Sequence, residues 1–222
     1  MKYAIDFGPV LAAWPELLNG TLSTLKISSV SIVLGLIMGI GLMLLRASDS
    51  AAAMAMALGY IEIVRNTPFL VQVFFIFFGL PALGYRMGTE QAAILALSLN
   101  CAAYTAEIIR GGLDSIHKGQ FEAGRALGLH RFDIFRFVVF RPAVRAVYPA
   151  LCSQFILLML TSSIVASISA EDLTYAAQTI DAQTFRSTEV YFVVGAIYLA
   201  LSQLLSIVLQ AIGRFYFSYP VK

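Results

Sequence analysis

ISSVSIVLGLIMGIGLMLL, Ile27 to Leu45, carries no charged residue. An uncharged run of roughly 20 residues is long enough to cross the hydrocarbon core of a bilayer as a helix. It is also too uniformly apolar to be a barrel strand, which would alternate between lipid and lumen. Working outward from it, Ala146 to Ala170 and Val190 to Ile212 are runs of the same kind. Two more are less clean. Ala51 to Leu83 is interrupted by Glu62, Arg65 and Asn66-Thr67-Pro68, and Gln91 to Ala106 is short unless it continues past Glu107. Only helices and closed barrels satisfy the backbone in lipid. The expected fold is therefore an all-α integral membrane protein with five transmembrane helices.

Composition agrees. Of 222 residues, 59% are hydrophobic and 13% charged, against about 25% charged in a soluble domain; the mean hydropathy is +0.81. A net charge of +2 gives no argument for nucleic acid, so the positions of the charges matter more than their sum. Between Ile108 and Arg145 lie Arg110, Lys118, Arg125, Arg131, Arg136, Arg141 and Arg145. In a five-span chain Arg46, Arg214 and Lys222 share that side, while Lys2, Lys26, Arg86 and Arg186 lie opposite. Basic residues favour the cytoplasm, which places the N-terminus outside (periplasmic) and the C-terminus inside. Residues 1–18 form an outer interfacial segment in which Trp14 is the anchor. Residues 19–215 form the membrane domain, with a long inner loop at about 111–145, and 216–222 form a tail. The N-terminus has no basic flank or cleavage site preceding an apolar run, which argues against a cleaved signal peptide.

Chemistry-bearing patterns are few. Cys101 and Cys152 lie in apolar runs, and His117 and His130 have no ligand partners in the sequence, so no metal site, catalytic residue or disulfide is expected. There is no G-x-x-x-x-G-K-[ST] phosphate loop and no G-x-S-x-G nucleophile motif. Ionisable groups within spans cost at least ~2.5–3.5 kcal/mol on insertion scales and so pair or face a cavity. Glu62 and Arg65 stand three apart, the spacing of a helical pair. They line a path or fix helix packing, and Pro68 kinks the chain just beyond them. Asn100, Tyr104 and Glu107 recur at helical spacing, and Thr161, Ser162 and Ser163 add hydroxyls. Each set is a candidate substrate path or a set of helix-to-helix hydrogen bonds. Glu171-Asp172 either meets a partner or caps a helix. Ser28, Ser31, Gly35, Gly39 and Gly41 offer close helix contacts.

The loop segment FEAGRALGLHRFDIFRFVVFRP, Phe121 to Pro142, is basic and amphipathic. A helix over 121–129 directs Phe121, Leu127 and Phe132 towards an apolar environment and Glu122, Arg125 and Arg131 towards water or a partner, with Ala123, Gly124 and Gly128 keeping one side small. Such a helix either fits a groove on another protein or is a solvated connector.

Family resemblance favours the first. TLKISSVSIVLGLIMG (24–39), YIEIVRNTPFLVQVFFIFFGLP (60–81), AILALSLNCAAYTAEIIRGGLDSI (93–116), GQFEAGRALGL (119–129) and SSIVASISAEDL (162–173) resemble, in order, the permease subunits of polar amino-acid ABC importers, the histidine/glutamine permease family. The resemblance implies a type I ABC importer transmembrane domain in a bacterial inner membrane. It also implies that Glu122, Ala123, Gly124 and Gly128 dock into a separate dimeric ATPase subunit, which binds ATP and Mg, so that this chain holds no cofactor. A periplasmic substrate-binding protein and a second permease complete the set. Two departures stand out. Phe140-Arg141-Pro142 puts the proline one place beyond the family's usual Leu-Pro, and Leu160-Thr161 replaces a common Lys-Asp pair. The second departure is closer to histidine-type subunits that work with a non-identical sister. The substrate class implied is a polar amino acid or a derivative, basic or opine-like. The alternative is an ion-coupled carrier or channel working without an ATPase through Glu62 and Glu107. Such carriers often show internal repeats, and none is visible here.

Overall fold

The computed structural model describes residues 5–217 and contains no strand among them. A short helix α1 (Gly8–Ala12) leads into α2 (Trp14–Arg46), then α3 (Ala51–Arg65) and α4 (Phe69–Phe74). A wider π turn (Phe75–Gly79) and a last turn (Leu80–Ala82) continue α4. Next come α5 (Thr89–Asp114) and the short α6 (Lys118–Ala126). A turn at Arg131–Asp133 and a π segment Ile134–Val139 run into α7 (Phe140–Thr161), which tightens into a 3-10 segment, Ser162–Ile168. The chain closes with α8 (Leu173–Thr184) and α9 (Ser187–Phe217). Four stretches are long and apolar enough to span a membrane, Trp14–Arg46, Thr89–Asp114, Ile134–Ile168 and Ser187–Tyr216. Ala51–Arg65 and Phe69–Ala82, bent by 111°, form a broken fifth. The five expected spans are thus present. The outer segment expected at 1–18 is divided between α1 and the first turns of α2, and residues 1–4 and 218–222 lie outside the described residues.

The centre of the bundle is the contact between α2 and α5, which run parallel. At one end Lys26 Nζ lies 2.6 Å from Glu90; at the other Arg46 pairs with Glu107. Between them α2 buries Ser28, Ser31, Gly35 and Gly39 against the small face of α5, which includes Ala96, Ser98, Cys101, Ala102 and Thr105. A Cβ on Gly35 would sit 2.5 Å from Cys101 Cβ, and one on Gly39 2.6 Å from Thr105 Cβ. These helices approach as closely as they do because the side chains are absent, the usual route to helix association in lipid. Gly41 does not belong to this seam. A Cβ there would meet nothing within 4 Å, because position 41 has rotated about 200° past Gly39.

The break in the second span is complete. Pro68 removes a backbone donor and disfavours helix at the residue before it, so α3 stops at Arg65 and the chain turns. Side chains take over the freed carbonyls. Thr67 Oγ1 donates to the Ile63 carbonyl at 2.8 Å and Gln72 Nε2 to that of Val64 at 2.7 Å, while the Glu62 carbonyl keeps the Asn66 N–H at 3.0 Å and gains Asn66 Nδ2 at 2.8 Å. Such substitution is what makes a broken helix tolerable within a membrane protein.

The α8 end is closed by polar contacts. The Thr24 hydroxyl accepts from the Leu173 N–H at 3.0 Å. Glu189, fully buried, accepts from the Asp6 N–H at 3.0 Å and from Arg186 at 3.0 Å.

Candidate functional site

Two regions carry polar chemistry out of proportion to their surroundings, the short helix α6 and the interior where α3, α4 and α5 meet.

In α6, Glu122 and Ala123 point outward while Gly124 is buried. A Cβ on Gly124 would lie 2.8 Å from Ile134 Cγ1, so glycine lets α6 rest directly on the segment that leads into α7. Gly128 has φ +74° and ends the helix. Its N–H donates to the Arg125 carbonyl at 2.9 Å, and the Leu129 N–H to that of Gly124 at 3.1 Å, the paired bonds of a Schellman stop. The four residues therefore divide their work: Glu122 and Ala123 form the surface, Gly124 and Gly128 set its position.

Phe121, Leu127 and Phe132, expected to meet an apolar environment, lie on the outside of the chain. They are 36%, 78% and 61% exposed. The inward position is taken by Gly124, too close to Ile134 to leave room for large side chains. The result is an outward surface of apolar and charged side chains, an anchor-and-rim pattern suited to a protein partner. Arg125 also faces outward; the Arg131 side chain lies outside the description.

In the interior, the expected Glu62–Arg65 pair is not the one formed. Arg65 Nη1 lies 3.3 Å from Glu107 Oε2, and its guanidinium carbon is 5.7 Å from the Tyr104 ring centroid. Glu62 faces outward and accepts from Asn66 Nδ2 at 2.9 Å. The reason is geometric. Arg65 is the last residue of α3, and its long side chain reaches across to α5 rather than back along its own helix. Glu107 gathers three cations, being paired with Arg46 as well and with Arg110 at 3.1 Å. Arg110 also holds Asp114 at 2.6 Å. Asn100 donates to Gln72 Oε1 at 3.0 Å, which links α5 to the broken segment.

Sequence reasoning missed Arg46, Arg110 and Gln72. Arg110 was visible as a partner three residues from Glu107; Arg46 and Gln72 meet their partners only through tertiary packing. Ser162 and Ser163 lie at the transition from α7 to the 3-10 segment and donate to the Met159 and Leu160 carbonyls at 2.7 and 2.8 Å. Thr161 beside them is half-buried. This transition packs against α4 and α5, so the three hydroxyl residues share a neighbourhood with the broken segment.

At the α8 end, Asp172 is a cap. Its carboxylate accepts from the Tyr175 N–H at 2.8 Å and from Tyr198 Oη at 3.2 Å. Burial pushes its pKa up to about 6, against the lowering effect of these hydrogen bonds. Glu171 is exposed. Among the described residues no group of His, Cys, Asp or Glu could hold a metal ion, and both cysteines are free thiols.

Fold and packing define a multi-pass helical membrane protein, with small-residue helix seams, a broken span and a short, largely exposed helix, α6. Residues 31–216 match the family described as the inner membrane component of binding-protein-dependent transport systems, and the chain belongs to that family. It is 36% identical to the nopaline transport system permease protein of Agrobacterium fabrum, over 91% of this chain and 88% of that one. It is 37% identical to the glutamine transport system permease protein of Escherichia coli strain K12, over 94% and 96%. The arginine transport system permease protein of Bacillus subtilis strain 168 is 36% identical, over 95% and 96%. A crystal structure of an amino acid ABC transporter with histidines superposes with a TM-score of 0.90 at 34% identity, covering 96% of this chain and 99% of that one. An inward-facing methionine ABC transporter shares the fold, at 24% identity and TM-score 0.73.

The chain is thus the permease component of an ABC importer, and membership implies an ATPase partner and a second permease. The comparisons give an ion-coupled carrier no support.

Proposed function

We propose that the chain forms half of the membrane pathway of an ATP-driven importer for a polar amino acid or an opine-like derivative in a bacterial inner membrane. The names of the relatives, which concern nopaline, glutamine and arginine, support this substrate class. The N-terminus lies in the periplasm and the C-terminus in the cytoplasm, because the basic residues concentrate on the α6 side. A periplasmic binding protein delivers the substrate, and the ATPase dimer holds ATP and Mg.

The observation that carries the coupling role is the outward presentation of Glu122 and Ala123 on a helix held by Gly124 against Ile134. When the ATPase pair closes and displaces α6, the contact at Ile134 passes the displacement to the start of α7. That helix ends at Thr161, beside α4, so the motion reaches the broken span.

The path we assign runs past Glu62, Arg65, Asn100, Tyr104, Glu107 and the Thr161–Ser163 step. A zwitterionic substrate needs partners for both charges in a poorly hydrated interior. Three arginines around Glu107 leave positive charge for a carboxylate, and Glu62 with the Asn100 and Gln72 amides offers oxygen to an ammonium. Leu160 and Thr161 in place of Lys-Asp favour a non-identical sister permease, which supplies the missing charges.

The test uses the purified complex in proteoliposomes. Ala123→Trp and Glu122→Arg should leave the complex assembled and folded while ATP is hydrolysed with little uptake. Wild-type uptake per ATP in both variants would refute the coupling role.

A further inference from the structure

The break at Pro68 leaves carbonyls without helix partners, and one side chain serves several acceptors there. Gln72 Nε2 lies 2.7 Å from the Val64 carbonyl, 3.1 Å from that of Thr67 and 3.0 Å from Thr67 Oγ1. Carbonyl oxygens only accept, so this end of the amide is fixed as the nitrogen. The amide oxygen then faces the other way, where it accepts from Asn100 Nδ2 at 3.0 Å.

The same logic passes one side chain further. An Asn100 oxygen turned towards Gln72 Oε1 would set two acceptors against each other, so Asn100 presents its nitrogen there and turns its Oδ1 away. Among the described residues no donor meets that oxygen. Nor is it sealed in the protein, as the donorless Ser28 Oγ and Gln120 Oε1 are. A proline in one segment thereby sets the polarity of an amide in another. Pro68 frees the carbonyls, Gln72 turns its nitrogen to them, and Asn100 is left offering an oxygen.

Asn100 shares a face of α5 with Tyr104 and Glu107. Tyr104 lies four residues on, about 6 Å along the axis, and the exposed Arg65 holds its guanidinium carbon 5.7 Å from the Tyr104 ring centroid. An acceptor and a cation thus follow one another along this face. An α-amino acid carries its ammonium and its carboxylate on one carbon. With a charge-assisted hydrogen bond of about 2.8 Å at each group, it can bridge such a separation.

We propose that Asn100 Oδ1 accepts from the substrate's α-ammonium while Arg65 holds its carboxylate, and that Gln72 is the positioning residue that fixes the Asn100 oxygen. This rests on the substrate path proposed above, and adds to it the direction in which the substrate lies and the residue that sets that direction.

The purified permease–ATPase complex, without binding protein, would be titrated by equilibrium dialysis with labelled L-glutamine, L-arginine and nopaline. Glutaramate and δ-guanidinovalerate, which lack the α-ammonium of glutamine and arginine, serve as the comparison. Asn100→Leu should weaken binding of the amino acids by roughly ten-fold or more, the worth of a hydrogen bond to a charged group, and leave the deaminated analogues unchanged. Asn100→Asp keeps an acceptor and should hold binding at or above the wild-type level. Gln72→Leu should weaken amino-acid binding several-fold on its own and add nothing to Asn100→Leu, whereas a merely structural role would weaken binding in both backgrounds. Equal losses for amino acids and deaminated analogues in Asn100→Leu, or a Gln72→Leu effect undiminished without Asn100, would overturn the proposal. Where Gln72→Leu fails to assemble, the two Asn100 variants decide. Loss of binding in Arg65→Gln but not in Asn100→Leu would remove the subsite and leave the path standing. No loss in either, or no binding of any probe by the wild type, would remove both.

Discussion

Replacing Gly124 with alanine tests the joint between α6 and α7. The added Cβ would sit 2.8 Å from Ile134 Cγ1 and 3.2 Å from both Cδ1 and Cγ2. Carbon contacts are optimal at about 3.5–4.0 Å, so all three are too close and the helix must lift by roughly 1 Å. Overpacking of this kind costs about 1–3 kcal/mol. Alanine regains about 0.5–1 kcal/mol of helix propensity, which leaves a net loss of about 0.5–2 kcal/mol. Ile134→Ala removes all three crowded atoms from a residue only 2% exposed and costs about 2–5 kcal/mol alone. In the double variant the new Cβ fills part of the space the isoleucine vacates. The two changes should therefore be non-additive, with a favourable coupling of about 1 kcal/mol or more. The assay is thermal unfolding of the purified complex, where 1 kcal/mol corresponds to about 2–4 °C for a chain of this size. A parallel measurement of ATP consumed per substrate imported should show Gly124→Ala wasteful and the double variant partly rescued. Strict additivity in melting temperature would refute the contact, and unchanged stoichiometry in Gly124→Ala would refute its mechanical role.

Three further outcomes are expected. Gly39→Ala should destabilise by about 1–3 kcal/mol because its Cβ meets Thr105, while Gly41→Ala, with nothing nearby, should be neutral or slightly stabilising; equal effects in a melting experiment would contradict the seam. Glu107→Gln should loosen the grouping of Arg46, Arg65 and Arg110. Their partial exposure limits the loss to about 1–3 kcal/mol, and a melting temperature equal to wild type would show the grouping to be idle. Asp172, raised from 3.8 to about 6 in the folded protein, binds more protons folded than unfolded between these values. Its stabilising contribution is complete below 3.8 and is lost as pH rises through about 6. Asp172→Asn keeps the cap and should flatten the fall in melting temperature over that range; a parallel slope in both proteins would argue against the shift.

The spans were legible in the sequence because the cost of charge in hydrocarbon leaves long uncharged runs, and the break at Pro68 because proline lacks a donor. The extent of α6 was legible to within a few residues, and Gly128 marked its end. Its facing was not. Which side of a nine-residue helix turns inward depends on Gly124 meeting Ile134, a contact between segments that periodicity does not encode. The same holds for Arg65. Spacing along one helix suggested Glu62, but an arginine at a helix terminus can reach another element, and Glu107 offered three basic partners a shared, half-buried carboxylate. Gly41 shows the opposite error: composition pointed to a small-residue seam, and rotation about the helix axis removed one member from it.

Helix α2 has 33 residues, a length of about 50 Å, and no proline after Pro15. It touches Glu107 through Arg46 at one end and Leu173 through Thr24 near the other. A rod of that length is a lever: tilting it by about 5° about one end carries the far end through roughly 4 Å. Rearrangement among the arginines would thus be felt at α8 without any element between them having to bend.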